Sequence, residues 1–401
     1  MSELFEDRIL KHLKELCNKY PHRSTGSKGN IHSVAYYARQ SEALGYEISE
    51  QEFDCIDWEA GKVELSSSEE CYNALPSPWS LGVNCRGELV SINSVEKLQE
   101  ADLAGKIVLL HGGIAKEQLM PKNFVFYNPE EHQLIIKLLE EKNPSAIITA
   151  TEKNPETAGA LYPFPLFEDG DFDIPSVYMT AEEGEKLLKK GGDIVTLKFQ
   201  ANRFPAKGSN IIARKGDCSA KKIVLTAHID TKPDTPGAID NASGVVLMLI
   251  MMEMLKDYEG KYCLEFLAMN GEDYYAASGE MKYLAELGND LSQVELNINF
   301  DAAGFRGVKT GYTGFGENSE LLNKITGILS QVSFFTEIKP WYQGDHMVFV
   351  MNGVPALAVT SENFVYITEE IAHTEKDTIA ILDCRIIEET ARSLAEIIMD
   401  L

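Results

Sequence analysis

Three short apolar runs that stop abruptly on histidine or acid constrain this chain more than any other feature. Ile223-Val224-Leu225-Thr226-Ala227 ends on His228-Ile229-Asp230, Tyr262 to Met269 ends on Asn270-Gly271-Glu272-Asp273, and Leu296 to Phe300 ends on Asp301. Runs of this length and β-branched content suit strands buried on both faces of an α/β sheet. Ligands of open α/β sheets gather beyond the carboxyl ends of the strands, so the three terminal groups are expected in one site. His228 and Asp230 are two apart and leave an extended chain on the same side. That suits a metal-binding imidazole whose second nitrogen is held by a carboxylate.

Between the first two runs, Asp240-Asn241 precedes Val245 to Met252, an apolar stretch broken by Glu253. It is too short to span a bilayer, which takes about 20 apolar residues, and reads as a buried helix. Alone, Asp240 would be taken for a helix N-cap worth about 1 kcal/mol. Glu272 and Asp273 are adjacent and diverge in extended chain, so a turn is needed to aim both into one site. Solvated loop acids are the commoner fate of such a pair. An isolated histidine such as His373 is most often merely exposed; its position after the last apolar strand, with Asp377-Thr378 available for capping, sets it apart.

This ordered set, His228-x-Asp230, Asp240-Asn241, Gly271-Glu272-Asp273, Asp301 and His373 in Ala372-His373-Thr374-Glu375-Lys376-Asp377-Thr378, resembles the co-catalytic zinc aminopeptidase family, whose relatives include glutamate carboxypeptidases and glutaminyl cyclases. The resemblance implies two zinc ions, with cobalt or manganese as substitutes. It implies that Asp240 bridges them, that His228 and Asp301 complete one site and Asp273 and His373 the other, and that Glu272 is the general base. It also implies a cis Asp240-Asn241 bond. Asp230 joins the catalytic set beside His228. Gly344-Asp345-His346-Met347-Val348-Phe349 resembles the family's Ser-Asp-His-x-x-Phe stretch. Asp345, His346 and Tyr342 are expected behind the metal ligands or in a structural role, with contact to the substrate, for Tyr342 at its carbonyl, as the alternative. This chain has Asp273 where the family often has Glu, and Tyr274 to Glu280 replaces the usual Gly-Leu-x-Gly-Ser run.

The 401 residues are 44% hydrophobic, enough for two cores. Asp and Glu outnumber Lys and Arg by 62 to 37, and the net charge of -25 argues against nucleic acid or an anionic membrane as partner. Met1 to Leu10 carries charge every few residues and lacks the apolar core of a signal peptide. Seven cysteines without close pairing motifs suit reduced thiols, so a cytoplasmic protein is expected.

Along the chain, Ile9, Leu10, Leu13, Leu16 and Cys17 have helical spacing, a turn rich in helix breakers spans Pro21 to Asn30, and a second helix ends at Gly45. The texture then changes to short alternating segments. Gly105-Lys106-Ile107-Val108, Ala146-Ile147-Ile148 and Ile174-Pro175-Ser176-Val177, in that order with a helix near Pro129 to Lys142, resemble the protease-associated domain. The expected organisation is a zinc exopeptidase fold over 1–54 and 201–401, an α/β mixed central sheet flanked by helices, with a β-rich protease-associated-like domain inserted over 55–200. Asn210 to Ala213 is expected as an edge-like strand.

The function expected is a metalloexopeptidase acting on peptides with a free N-terminus; a homo-oligomer is compatible with it. A glutaminyl cyclase-like transferase, a carboxypeptidase or deacylase, and a receptor-like binding protein are the rivals. The stretch between Asp301 and His373 is too short for the lid domain of the carboxypeptidase branch, and the intact ligand set disfavours a receptor.

Overall fold

The computed structural model describes residues 2–68, 70–153, 162–316 and 318–401. The chain forms two compact units, residues Met1–Cys55 with Ala206–Leu401, and Ile56–Pro205.

The first unit is built on an eight-stranded sheet. Its order is Glu47–Ala60, Ala201–Lys215, Cys263–Met269, Lys222–His228, Val294–Phe300, Ala356–Ser361, Thr310–Phe315 and Phe335–Glu337. We label its four central parallel strands in chain order: β1 (Lys222–His228), β2 (Cys263–Met269), β3 (Val294–Phe300) and β4 (Ala356–Ser361). β1 lies between β2 and β3, parallel to both, and β3 pairs in parallel with β4. The register puts His228 opposite Met269 and Thr226 opposite Asn299, so all three site-bearing strands end at one level. Nearly every residue of these strands is buried, as strands covered on both faces should be.

Helix α1 (Ser243–Met254) is buried from Ser243 through Met252. A helix apolar all round belongs inside a core. It packs with the β1 and β3 residues Leu225, Ala227, Ile298 and Phe300 and with Ile387, Leu394 and Ile398 of the closing helix Cys384–Met399. Gly244 lets its first turn approach β3: a Cβ there would fall 2.7 Å from the Phe300 carbonyl oxygen. The Asn241 side chain completes the contact, donating to Phe300 O (2.7 Å) and accepting from Gly244 N (3.1 Å). The start of α1 is therefore pinned beside Asp301.

The second unit has an eight-stranded sheet ordered Cys71–Tyr72, Glu64–Ser66, Ile194–Phe199, Val83–Ile92, Ile107–His111, Ala146–Thr151, Ser176–Thr180 and Leu75–Pro76. Alternation fills its two faces: Val108 and Leu110 pack with Ile135, Ile136 and Leu139 of helix Glu130–Lys142, while Ile107 and Leu109 pack with Leu187, Val195 and Leu197.

Two expectations are corrected. The strand holding Asn210–Ala213 is interior, because Glu47–Ala60 adds a further strand outside it. Cys218 and Cys263 are paired as a disulfide rather than as free thiols. The bond ties the turn that follows strand Ala201–Lys215 to the first residue of its sheet neighbour β2, 45 residues on, a proximity that spacing alone conceals. No helix among the described residues is long and apolar enough to cross a membrane.

Leu225 is fully buried on the middle strand, whereas Met399 is 54% exposed. Leu225→Ala is expected to destabilise the first unit by about 2–5 kcal/mol, and Met399→Ala by no more than about 0.5 kcal/mol. Urea midpoints followed by circular dichroism check the contrast.

Candidate metal centre

Each strand end delivers a donor for a physical reason. β1 ends on His228, 1% exposed, and the chain then turns into the loop 229–237. Arg23, itself 1% exposed, ties that loop down: its guanidinium donates to the carbonyls of Ile229 (3.1 Å), Pro236 (2.9 Å) and Gly237 (2.7 Å), and to Leu16 O (3.1 Å). After β2, Gly271 at φ +120 lets the chain reverse, and Tyr274 N returns to Gly271 O (3.3 Å). That is the turn Glu272 and Asp273 require. Asp301 follows β3 with its N–H on Val359 O of β4 (3.0 Å).

Asp240 occupies the centre. Its Oδ1 lies 3.1 Å from His228 Nε2 and its Oδ2 lies 3.1 Å from His373 Nε2. Asp301 Oδ1 is 3.7 Å from His228 Nε2, and Asp273 Oδ1 is 3.2 Å from His373 Nε2. Three donor groups result, each with ligand atoms within 4.8 Å of one another: His228, Asp240 and Asp301; Asp240, Asp273 and His373; and His228, Glu272 and Asp273. The Asp240-Asn241 bond is cis. The Asp240 backbone is held by Asp377, whose carboxylate accepts from Ile239 N (2.6 Å) and Asp240 N (3.1 Å).

Asp230 acts differently from the expectation. Its Oδ1 is 3.8 Å from His228 Nδ1, beyond hydrogen-bond length. Its oxygens accept instead from Gly271 N (2.8 Å), Asp273 N (3.1 Å) and Thr25 Oγ1 (3.0 Å). The carboxylate thus shapes the turn that presents Glu272 and Asp273, because those amides reach it first. Asp377 is likewise not a helix cap: Asp383 caps the closing helix through Arg385 N (3.0 Å), while Asp377 faces the loop before Asp240.

Excess negative charge dominates the electrostatics. Burial opposes a charged His228, but Asp240, Asp301 and Glu272 outweigh it and hold the imidazole well above its usual pKa. His373 is raised well above normal in the same way, against burial, chiefly by Asp273 and Asp240. Burial disfavours ionised Asp240, yet the two imidazoles hold its pKa well below the carboxylate range. Glu272 is pushed well above its usual value by burial and by the charges of Asp273, Asp301 and Asp240.

This donor set fits zinc or a similar divalent ion. It offers imidazole nitrogen and carboxylate oxygen. His228 Nε2, the ring nitrogen turned toward Asp240 and Asp301, and Asp273 Oδ2 have no hydrogen-bond partner among the described residues, as metal-facing atoms should not.

The remaining expected residues lie around this cluster. The backbone at Gly344 passes beside Asp301, since a Cβ there would lie 3.4 Å from Asp301 Oδ2. Asp345 and His346 are buried, and His346 Nε2 donates to Trp341 O (3.1 Å). Burial lowers the His346 pKa to about 4. Burial, then the charge of Glu280, raises Asp345 well above normal. Tyr342 is 68% exposed and rests its ring edge-on against Phe315. Sequence reasoning missed Lys232, with Nζ 3.8 Å from Asp273 Oδ1, and Arg23 and Asp377 as supports. A buried Arg beside Gly-Ser, and an acid four residues after His373, were the available signals.

Two measurements follow. Asp377→Asn leaves one acceptor for two amides, so zinc affinity by calorimetry is expected to fall about tenfold or more. Glu280 is buried with its pKa raised to about 8. The folded state then keeps a proton that the unfolded chain loses near pH 4.5, so this group's contribution is full below that pH and lost as pH rises to about 8. Glu280→Gln should therefore gain Tm relative to the parent across that window; a constant offset would contradict this.

Residues 210–398 match the model for Peptidase family M28. Aminopeptidase YwaD of Bacillus subtilis (strain 168) is 28% identical over 254 residues, covering 57% of this chain and 54% of that protein. The probable lipoprotein aminopeptidase LpqL of Mycobacterium tuberculosis is 25% identical over 291 residues, 70% of this chain and 54% of that one. The chain thus spans about half the length of these curated relatives. Among solved structures, BSAP, a zinc aminopeptidase from Bacillus subtilis, superposes with TM-score 0.75 at 20% identity over 98% of this chain and 94% of that one. Fimbriiglobus ruber glutaminyl cyclase does so with TM-score 0.52 at 13% identity over 99% and 95%. These two likenesses establish the shared fold. The similarity to Peptidase family M28 thus falls on residues 210–398, within the larger unit.

Proposed function

We propose that this protein is a two-zinc aminopeptidase that removes the first residue of peptides with a free N-terminus. One observation carries the reading: the two oxygens of Asp240 each face a different imidazole at 3.1 Å, and each imidazole has a second carboxylate beside it. That arrangement suits a carboxylate shared by two ions. His228 and Asp301 would hold one, Asp273 and His373 the other. When bound, the zinc pair polarises the scissile carbonyl and lowers the pKa of water at the site to about 7.

The rest of the chemistry falls to the chain. Glu272 stands beside the donor groups and is the group placed to take the proton from the attacking water. As the C–N bond breaks, Glu272 returns that proton to the leaving nitrogen, so the products are a free amino acid and a peptide shortened by one residue. Asp230 holds Glu272 in place through the turn amides. Tyr342 would lie toward the substrate, and Asp345 and His346 behind the ligands. The names of the relatives as aminopeptidases support the reaction class.

Ile56–Pro205 is read as the protease-associated-like insertion, on the order of its strands and helices. A cytoplasmic location rests on seven cysteines without close pairing motifs; the Cys218–Cys263 pair and the lipoprotein relative weigh against it.

Metal-stripped protein given back zinc is expected to cleave aminoacyl anilides, and Glu272→Gln to lose about 10²–10⁴-fold in kcat while retaining its zinc. Zinc-loaded protein that leaves every anilide intact contradicts the proposal, and cyclisation of N-terminal glutamine is then the assay to run.

A further inference from the structure

Two buried acids have no part in the chemistry above. Glu280 is 4% exposed and Asp345 2% exposed, and Glu280 Oε2 and both carboxyl oxygens of Asp345 have no hydrogen-bond partner among the described residues. Helical register sets the two carboxyls opposite one another. Tyr283 of helix Ser278–Glu286 meets Phe349 of helix His346–Met351 with ring centroids 5.9 Å apart, and residues three or four apart share one face of a helix. Glu280 stands one turn before Tyr283, and Asp345 one turn before Phe349.

The starts of these helices brace the two halves of the site. A Cβ on Gly271, in the turn that presents Glu272 and Asp273, would lie 3.3 Å from Gly279 N, and one on Gly279 would fall 2.1 Å from Asn270 O. Glu280 therefore follows a residue pressed against that turn. Asp345 follows Gly344, where a Cβ would lie 3.4 Å from Asp301 Oδ2. Two ionised carboxylates buried together repel, and with no donor at these three oxygens the arrangement needs positive charge between them. A single proton meets that need, because a protonated carboxyl donates and an ionised one accepts. The raised pKa of both groups, about 8 for Glu280, agrees with two acids competing for it. We propose that Glu280 and Asp345 hold one proton between them and act as positioning residues, tying the Glu272–Asp273 turn to the loop beside Asp301. The consequence for zinc rests on the ligand roles proposed above; the pairing itself does not.

The test compares the full-length parent with Glu280→Met, which keeps the length and removes donor and acceptor, and with Glu280→Gln, which restores a donor toward Asp345. Zinc affinity of the metal-stripped proteins, by calorimetry, is expected to fall about tenfold or more in Glu280→Met and to recover in Glu280→Gln, and kcat on aminoacyl anilides to follow the same order. Infrared spectra of the zinc-loaded protein carry the signature of the shared proton: a protonated-carboxyl carbonyl stretch that Glu280→Gln and Asp345→Asn each remove or displace. Affinity unchanged in Glu280→Met overturns the proposal. Affinity lowered equally in Glu280→Gln also overturns it, because a charge and not a shared proton is then what matters. So does a spectrum without a band sensitive to both substitutions. If Glu280→Met does not fold, the infrared comparison decides by itself. Intact anilides alongside the expected affinities and band support the pair and contradict the aminopeptidase reading alone.

Discussion

Everything in the larger unit depends on one electrostatic constraint: several carboxylates converge on two imidazoles at the ends of adjacent parallel strands. Asp240, Asp273, Asp301, Glu272 and Asp230 gather where β1, β2 and β3 end together. Burying like charges side by side is unfavourable unless cations share the space. In the protein alone the imidazoles supply that charge, which is why both are drawn toward the protonated form. Divalent ions would supply it more fully and leave the imidazoles neutral.

Holding such a cluster needs support from outside it, and that support is bought with buried polar groups that are themselves satisfied. Arg23 spends its donors on backbone carbonyls rather than on a carboxylate, so it fixes the loop before Asp240 without neutralising the site. Asn30 and Asn270 exchange amide hydrogen bonds of 2.8 and 3.0 Å, and Asn270 N donates to Asn210 Oδ1 (3.0 Å). This joins the N-terminal turn, the strand Ala201–Lys215 and the turn after β2. Fully paired networks of this kind rigidify a site, whereas partly paired ones would loosen it.

Much of this was legible in the residues. His228, the Glu272-Asp273 pair and Asp301 announce themselves because apolar strands stop on them, and the run Val245 to Met252 can only be a buried helix. What stayed hidden depends on closure between distant segments. Asp377 looks like a helix cap beside Thr378, and only the folded chain brings it 137 residues back to the Asp240 amide. Asp230 shares a face with His228 in extended chain, but the turn amides of Gly271 and Asp273 claim its oxygens. Lys232 is one lysine among many until the loop 229–237 is tied down. The edge-like reading of Asn210–Ala213 failed for a related reason: the outer strand Glu47–Ala60 lies some 150 residues earlier in the chain.

The central claim is that Asp240 is shared by two ions. Anomalous diffraction at the zinc edge, from crystals of the zinc-loaded protein, tests it most directly. The account predicts two peaks per chain, one flanked by His228 and Asp301 and the other by Asp273 and His373, with an oxygen of Asp240 on each. A single peak, or two peaks of which either lacks Asp240, would contradict it.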